Sequence, residues 1–364
     1  MPGSFKKGNA LNTVPAPIKS DLKSRRIIWE AERPIRWSFM KVLREYSTLK
    51  QFYPEVNPYT EVYQVRDNVW ALYNDSFDGA GDVWMYLIEG SEKALLVDNS
   101  FGVGDLKGLI RKLIGDKEVI PVITHAHFDH CYGSAQFDKV YCHKNEVPDL
   151  MKKNNPDIWD YLFNQTDHDE EVWGETIHPG EPLYTHFDRK DIIVDLDHKE
   201  NYKPYEIVGV ENGHEFDLGN GYIVEAVLLP GHTPGMCGYW DHQTDAFFIG
   251  DTTGMGNKPA GEPYGEFCTV EAMHDELVKV LPRLKPTTRI FPGHGALDQS
   301  CILLKYLLET TERIMNDPEH PDHKNEFVRD GVRHVGCSRL IEQWSAMRYS
   351  PERIFKKQFF EAEK

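Results

Sequence analysis

From Glu61 onward, apolar residues come in short, evenly spaced runs closed by turn-forming or charged residues. Runs of this length that end at Gly, Pro, Asp or Ser are strand signals. Val69–Tyr73, Trp84–Glu89 and Ala94–Asp98 read as consecutive strands joined by turns such as Glu-Gly-Ser-Glu. From Asp105 to Ile114 the spacing becomes helical, with Leu106, Leu109, Ile110, Leu113 and Ile114 on one face. Val119–Thr124 predicts a buried strand running straight into His-Ala-His-Phe-Asp-His, and Val140–His143 a further short strand. Strand signals return at Tyr222–Leu229, Ala246–Gly250 and Arg289–Phe291. Helices fit Val270–Leu284 and Ser300–Met315. Strands covered by surface helices predict the α+β class, as a four-layer αββα sandwich and not a doubly wound parallel sheet.

Three stretches depart from this rhythm. Residues 1–60 read as an N-terminal arm, helical from Asp21 to Gln51. Trp29, Ile35, Trp37, Phe39, Met40, Leu43 and Tyr46 give the arm an apolar stripe, which packs on the main domain or on a neighbouring subunit. Residues 145–205 are polar and acidic without sustained periodicity, as in an insertion of helices and loops. Its Trp159, Trp173 and Tyr184 suit either an apolar lid over a substrate or anchors onto the body. The main domain is then 61–300, and 301–364 is a helical extension. There Pro318–His323 is a loop, and Arg329–Tyr349 is a further helix that closes the fold or enters a homo-oligomer interface.

Charge and composition narrow the partners. With 58 acidic and 41 basic side chains the formal net charge is −17, which repels phosphate backbones and argues against nucleic acid. No run of about 18 apolar residues marks a membrane span, and the opening MPGSFKKGNALNTVPAP lacks the apolar core of a secretory signal. The six cysteines are scattered without a CxxC pair, as expected for reduced thiols in a cytoplasmic protein. The remaining partner class is a small-molecule substrate.

Four separate strand ends deliver residues of metal-ligand type. His125 and His127, two apart in extended backbone, present their imidazoles on one face and can grip one ion. Asp129 and His130, displaced where the chain turns toward a helix, point at a second position. His232 sits in Pro-Gly-His-Thr-Pro-Gly, Asp251 follows Phe-Phe-Ile-Gly, and His294 lies in Phe-Pro-Gly-His-Gly. A carboxylate at Asp251 can bridge two cations. Imidazole and carboxylate without thiolate suit zinc, manganese or ferrous iron in an open site, zinc foremost.

This ordered set resembles the metallo-β-lactamase superfamily, and within it the glyoxalase II-like hydrolases, whose motif is HxHxDH followed by His, Asp and His. The resemblance covers roughly residues 61–300. It implies that His125, His127 and His232 bind one cation, that Asp129, His130 and His294 bind the other, and that Asp251 bridges them. Asp98 falls where the family carries an acidic residue, and either caps a turn or orients a ligand histidine.

Two close cations lower the pKa of a shared water from about 15.7 toward about 7. A bridging hydroxide attacking an ester, thioester or lactone carbonyl is therefore the expected chemistry, with Asp129 as the catalytic residue that orients it. Phosphodiester or sulfate-ester hydrolysis is the first alternative, and a mononuclear iron dioxygenase on the same scaffold the second. Asp251 stands where the family's β-lactamases carry Cys or Ser, which argues against β-lactam hydrolysis. The rim loop Thr252–Glu266 offers Lys258 and Tyr264 as substrate contacts.

Overall fold

The computed structural model describes residues 43–44, 50–75, 77, 82–169, 187–256, 262–329 and 332–362. Most of the expected arm, Trp173, Tyr184 and Lys258 lie outside these residues.

Eight strands form the first sheet in chain order: β1 (Lys50–Phe52), β2 (Thr60–Arg66), β3 (Val69–Asn74), β4 (Val83–Glu89), β5 (Lys93–Val97), β6 (Glu118–Ile123), β7 (Lys139–His143) and β8 (Glu206–Val210). Pairing is antiparallel as far as β5 and parallel from β5 to β8. A parallel step needs a crossover, and helix α1 (Leu106–Ile114) supplies the one between β5 and β6. Asp105 caps it by accepting from Gly108 N at 2.7 Å, while Arg111 and Lys112 face its carbonyl end. Helices α2 (Phe128–Cys131), α3 (Val147–Lys152) and α4 (Ile158–Asp169) add Cys131, Leu150 and Leu162 to the core that α1 covers.

The second sheet has the order β14-β13-β12-β11-β10-β9. Its strands are β9 (Glu215–Asp217), β10 (Ile223–Leu228), β11 (Cys237–Asp241), β12 (Ala246–Gly250), β13 (Arg289–Pro292) and β14 (Gln299–Ser300). Only β12 and β13 run parallel, and α5 (Val270–Val280) crosses between them. Helix α6 (Ile302–Asn316) follows β14.

Alternation within single strands stacks these layers. In β3 and β4, Val69, Ala71, Tyr73, Trp84, Tyr86 and Ile88 face one core, which they share with Val224, Ala226, Tyr239, Phe248 and Phe291 of the second sheet. Their neighbours Leu72, Val83, Met85 and Leu87 face the opposite way, onto Leu106, Leu109 and Ile110 of α1. In β12 the same period sends Phe248 inward and Phe247 and Ile249 outward, toward Met273, Leu277, Leu304 and Leu307 of α5 and α6. Side chains of period two on strands that are covered on both faces produce the αββα sandwich. No helix among the described residues is long and apolar enough to cross a membrane.

Two expectations change, and one pair of alternatives is decided. Lys50 and Gln51 are not helical; with Phe52 they pair with β2 and cover the edge of the sheet. Trp159 is no lid: it is 1% exposed, belongs to the core outside the first sheet, and its indole donates to Phe101 O at 3.0 Å. The C-terminal stretch expected as a helix is instead a three-stranded sheet of β15 (His323–Arg329), β16 (Val332–Leu340) and β17 (Ala346–Tyr349). Val332, Val335, Gly336 and Ser338 are weak helix formers. Cys337, Met347 and Tyr349 bury themselves against the α5–α6 layer. Gly336 leaves room for the amide of Asn325, its cross-strand partner, whose Oδ1 lies 2.5 Å from where a Cβ would stand. Helix α7 (Lys356–Ala362) ends the described chain.

Leu109 is fully buried between α1 and the first sheet. Leu109→Ala is expected to cost about 2–5 kcal/mol and to lower the calorimetric melting midpoint. An unchanged midpoint would contradict the packing of this layer.

Candidate metal centre

The C-terminal ends of β6, β10, β12 and β13 lead into the loops that form the site. After β6, the chain carries Thr124 and His125 onward to His127, which stands in extended backbone at the start of α2, so that Asp129 and His130 fall inside that helix. After β10, Gly231 takes φ +124, where a Cβ would press on Met255 and Met273, and His232 follows. Asp251 follows β12 and His294 follows β13. Between the last two, Gly293 passes so close that a Cβ on it would lie 2.4 Å from Asp251 Oδ1. Main-chain and ring bonds hold these loops together. Cys237 N donates to Thr124 O (2.8 Å), Trp84 N to Gly293 O (2.8 Å), Tyr86 Oη to Pro292 O (2.6 Å), and Trp84 Nε1 to Gly295 O (2.7 Å).

The seven residues converge as two clusters. His127 Nδ1 lies 3.1 Å from His125 Nε2 and 3.0 Å from His232 Nε2. Beside it, His294 Nε2 lies 3.3 Å from both His130 Nε2 and Asp129 Oδ2. Asp251 spans the pair, with Oδ2 3.7 Å from His232 Nε2 and 3.0 Å from His294 Nε2, and Oδ1 3.6 Å from His130 Nε2. Three sets of donor atoms have the spacing to hold a cation: His125, His127 and His232; His125, His130 and Asp251; and Asp129, His130 and His294.

Outer partners decide which nitrogens face inward. Asp98 accepts from Thr124 N (2.7 Å), Thr124 Oγ1 (2.8 Å) and His130 Nδ1 (2.8 Å). Because Thr124 spends its hydrogen on Asp98, it accepts from His125 Nδ1 at 3.0 Å. His294 Nδ1 donates to the carbonyl of Asp82. Each of these three rings therefore turns its Nε2 into the site, the role outer partners play around metal ligands. Asp98 orients a histidine, as its position in the sequence allowed. Asp82 and Thr124 escaped sequence reading because they act through a carbonyl and a hydroxyl, which carry no motif.

Electrostatics separates the clusters. Burial holds His125, His127 and His232 below the ordinary imidazole value, His127 at about 3 with His232 and Lys153 adding to the effect. At His130 and His294 burial also pulls downward, but the nearby carboxylates outweigh it. His130 stands well above its ordinary value, and Asp251 and Asp129 push His294 up to about 10. Burial raises Asp129 and Asp251, yet the charge of His130 and His294 brings both well below the usual carboxylate range. Among the described residues, Asp251 Oδ1 is a buried acceptor with no hydrogen-bond partner. An orphaned oxygen beside crowded ring nitrogens fits divalent cations shared between the clusters.

A model of the metallo-beta-lactamase superfamily matches residues 78–294. The chain belongs to that superfamily. Among curated members it is similar to the human "Acyl-coenzyme A thioesterase MBLAC2", 23% identical over 239 residues that cover 63% of this chain and 78% of that protein. It is also similar to the "Probable polyketide biosynthesis zinc-dependent hydrolase BaeB" of Bacillus velezensis, 24% identical over 239 residues covering 65% and 79% respectively. Among solved structures, a metallo-beta-lactamase family protein from Thermus thermophilus aligns with a TM-score of 0.43 at 14% identity, covering 71% of this chain and 85% of that one. The chain is thus a metallo-beta-lactamase superfamily hydrolase of the α+β sandwich type.

A cavity of about 290 Å³ opens beside His127 and His232, lined also by Ala126, Glu146, Lys153 and Glu262. A larger groove of about 730 Å³ along α1 and β6 contains none of the seven residues. Tyr264, expected as a substrate contact, does not line the smaller cavity; it is 38% exposed and takes φ +61. Lys153 reaches the cavity instead, its ammonium donating to the carbonyl of Ala126. Its place in the polar stretch after β7, far along the chain from every histidine motif, hid it from sequence reading.

With His130 well above its ordinary value and His294 raised to about 10, a cation entering their cluster at pH 7 must displace a proton from each ring; affinity there should rise by up to about a hundredfold per pH unit above pH 7. The His127 cluster should release none at pH 7. Zinc titration calorimetry in two buffers of different ionisation enthalpy checks this, and buffer-independent heats would contradict it.

Proposed function

We propose that the chain hydrolyses acyl thioesters with two divalent cations, zinc foremost. Manganese and iron suit the same donors. In this reading His125, His127 and His232 hold one cation, Asp129, His130 and His294 the other, and Asp251 both. The observation that carries it is Asp251, whose two oxygens reach toward histidines of both clusters. Bound there, the cations would supply Lewis acidity toward the acyl oxygen and lower the pKa of water toward about 7.

The chain's own residues do the rest. His125 and His130 are fully buried and serve as fixed donors, whereas His232, Asp129, Asp251 and His294 keep 15–24% of their side-chain surface open to an incoming substrate. Asp129, partly open and beside His294, is placed to accept a hydrogen bond from the attacking water. Its carboxylate stays ionised, since its pKa lies well below the ordinary value. Lys153 brings a positive charge to the cavity, where it suits an anionic group of the substrate or the charge that develops on the acyl oxygen. Water adds to the acyl carbon, the C–S bond breaks, and the products are a carboxylic acid and a thiol. Thioesters are preferred over other acyl substrates because the human relative is named as an acyl-coenzyme A thioesterase.

A panel of acyl thioesters, oxyesters, lactones and bis-aryl phosphodiesters offered to zinc-loaded protein tests the reading. Release of thiol is expected to be the fastest reaction, and Asp251→Ala should lose cation affinity and turnover together. Phosphodiester cleavage without thiol release, or oxygen consumption with one iron per chain, would overturn it.

A further inference from the structure

Glu146 is a fully buried carboxylate outside the seven. It ends the short turn Lys144–Glu146 after β7 and precedes α3. Its Oε2 accepts from Ala126 N at 2.8 Å, and its Oε1 accepts from Gly235 N at 2.7 Å. Ala126 lies between His125 and His127, and Gly235 is three residues past His232. One carboxylate therefore ties together the two loops that carry this cluster. The neighbouring Asn145 adds a third tie by donating from Nδ2 to Pro234 O at 3.3 Å. Contact is close enough that a Cβ on Gly235 would lie 2.8 Å from Glu146 N. A buried charge is costly unless it is satisfied, and here each oxygen receives a backbone N–H from one of these loops, with the Thr233 side chain of the His232 loop as a further partner.

We infer that Glu146 is a positioning residue that sets the spacing of His125 and His127 against His232, and so the affinity of that cluster for a cation. The inference rests on the two-cation reading above. It does not follow from packing alone, since an apolar side chain could fill the space but could not receive two N–H groups. Glu146→Gln keeps the shape but offers one oxygen, and sets an amide N–H against the second backbone donor.

Cobalt(II) titrated into metal-free protein and followed by its visible d–d absorption tests this directly. Folded Glu146→Gln is expected to bind cobalt about 10–100-fold more weakly and with a shifted band. Glu146→Asp, too short to span both loops, should be weakened as well. Leu109→Ala serves as the control, with a lower melting midpoint but wild-type cobalt affinity and band. Wild-type cobalt binding by folded Glu146→Gln or Glu146→Asp would overturn the inference and leave the two-cation reading standing. Failure of both variants to fold while Leu109→Ala folds would also overturn it, making Glu146 a folding element. Absence of histidine-bound cobalt in the wild-type protein would overturn the two-cation reading, and this inference with it.

Discussion

Crowded lone pairs are the constraint on which this structure turns. Ring nitrogens and carboxylate oxygens from four strand ends approach one another at 3.0–3.7 Å. Without positive charge between them such groups repel, and burial removes the water that would relieve them. Protons held by His130 and His294 supply part of that charge in the metal-free chain. Cations shared through Asp251 would supply it more fully, and the unpartnered Asp251 Oδ1 is where the shortage is plainest.

The fold exists to make that crowding possible. Two sheets, apolar on both faces, press their inner sides together, and the loops after β6, β10, β12 and β13 meet at the site. Glycine backbones then let the loops approach: Gly293 against Asp251, and Gly235 against the Asn145–Glu146 turn. Outer groups finish the work, with Asp98 and Thr124 turning His125 and His130 and the Asp82 carbonyl turning His294. Apart from the bond between the neighbours Thr124 and His125, these contacts join segments far apart in the chain, so the site depends on the whole sandwich and on no single loop.

Much of this was legible in the residues. Period-two strands with apolar residues on both faces announce a sheet covered on both sides, and α1 announced itself by the face that carries Leu106, Leu109 and Ile110. All seven ligand-type residues follow strand ends, and the structure brings all seven together. What stayed hidden acts through backbone or through long-range pairing. Glu146 and Asp82 bear on the site by hydrogen bonds to or from main-chain groups, and no spacing encodes them. Trp159 could not be told from a lid residue until the core beneath it was seen. The C-terminal strands read as helix in the sequence because Leu340, Ile341, Trp344 and Met347 stand at i, i+1, i+4 and i+7, a helical spacing. Their pairing with β15 and their burial against the α5–α6 layer decide the outcome.

The central claim is that one carboxylate, Asp251, serves two cations. Anomalous diffraction at the zinc edge from crystals of the zinc-loaded protein tests it most directly. The account predicts two peaks, one among His125, His127 and His232 and one among Asp129, His130 and His294, each bonded to Asp251. A single peak, or two peaks of which one lies out of reach of Asp251, would contradict it.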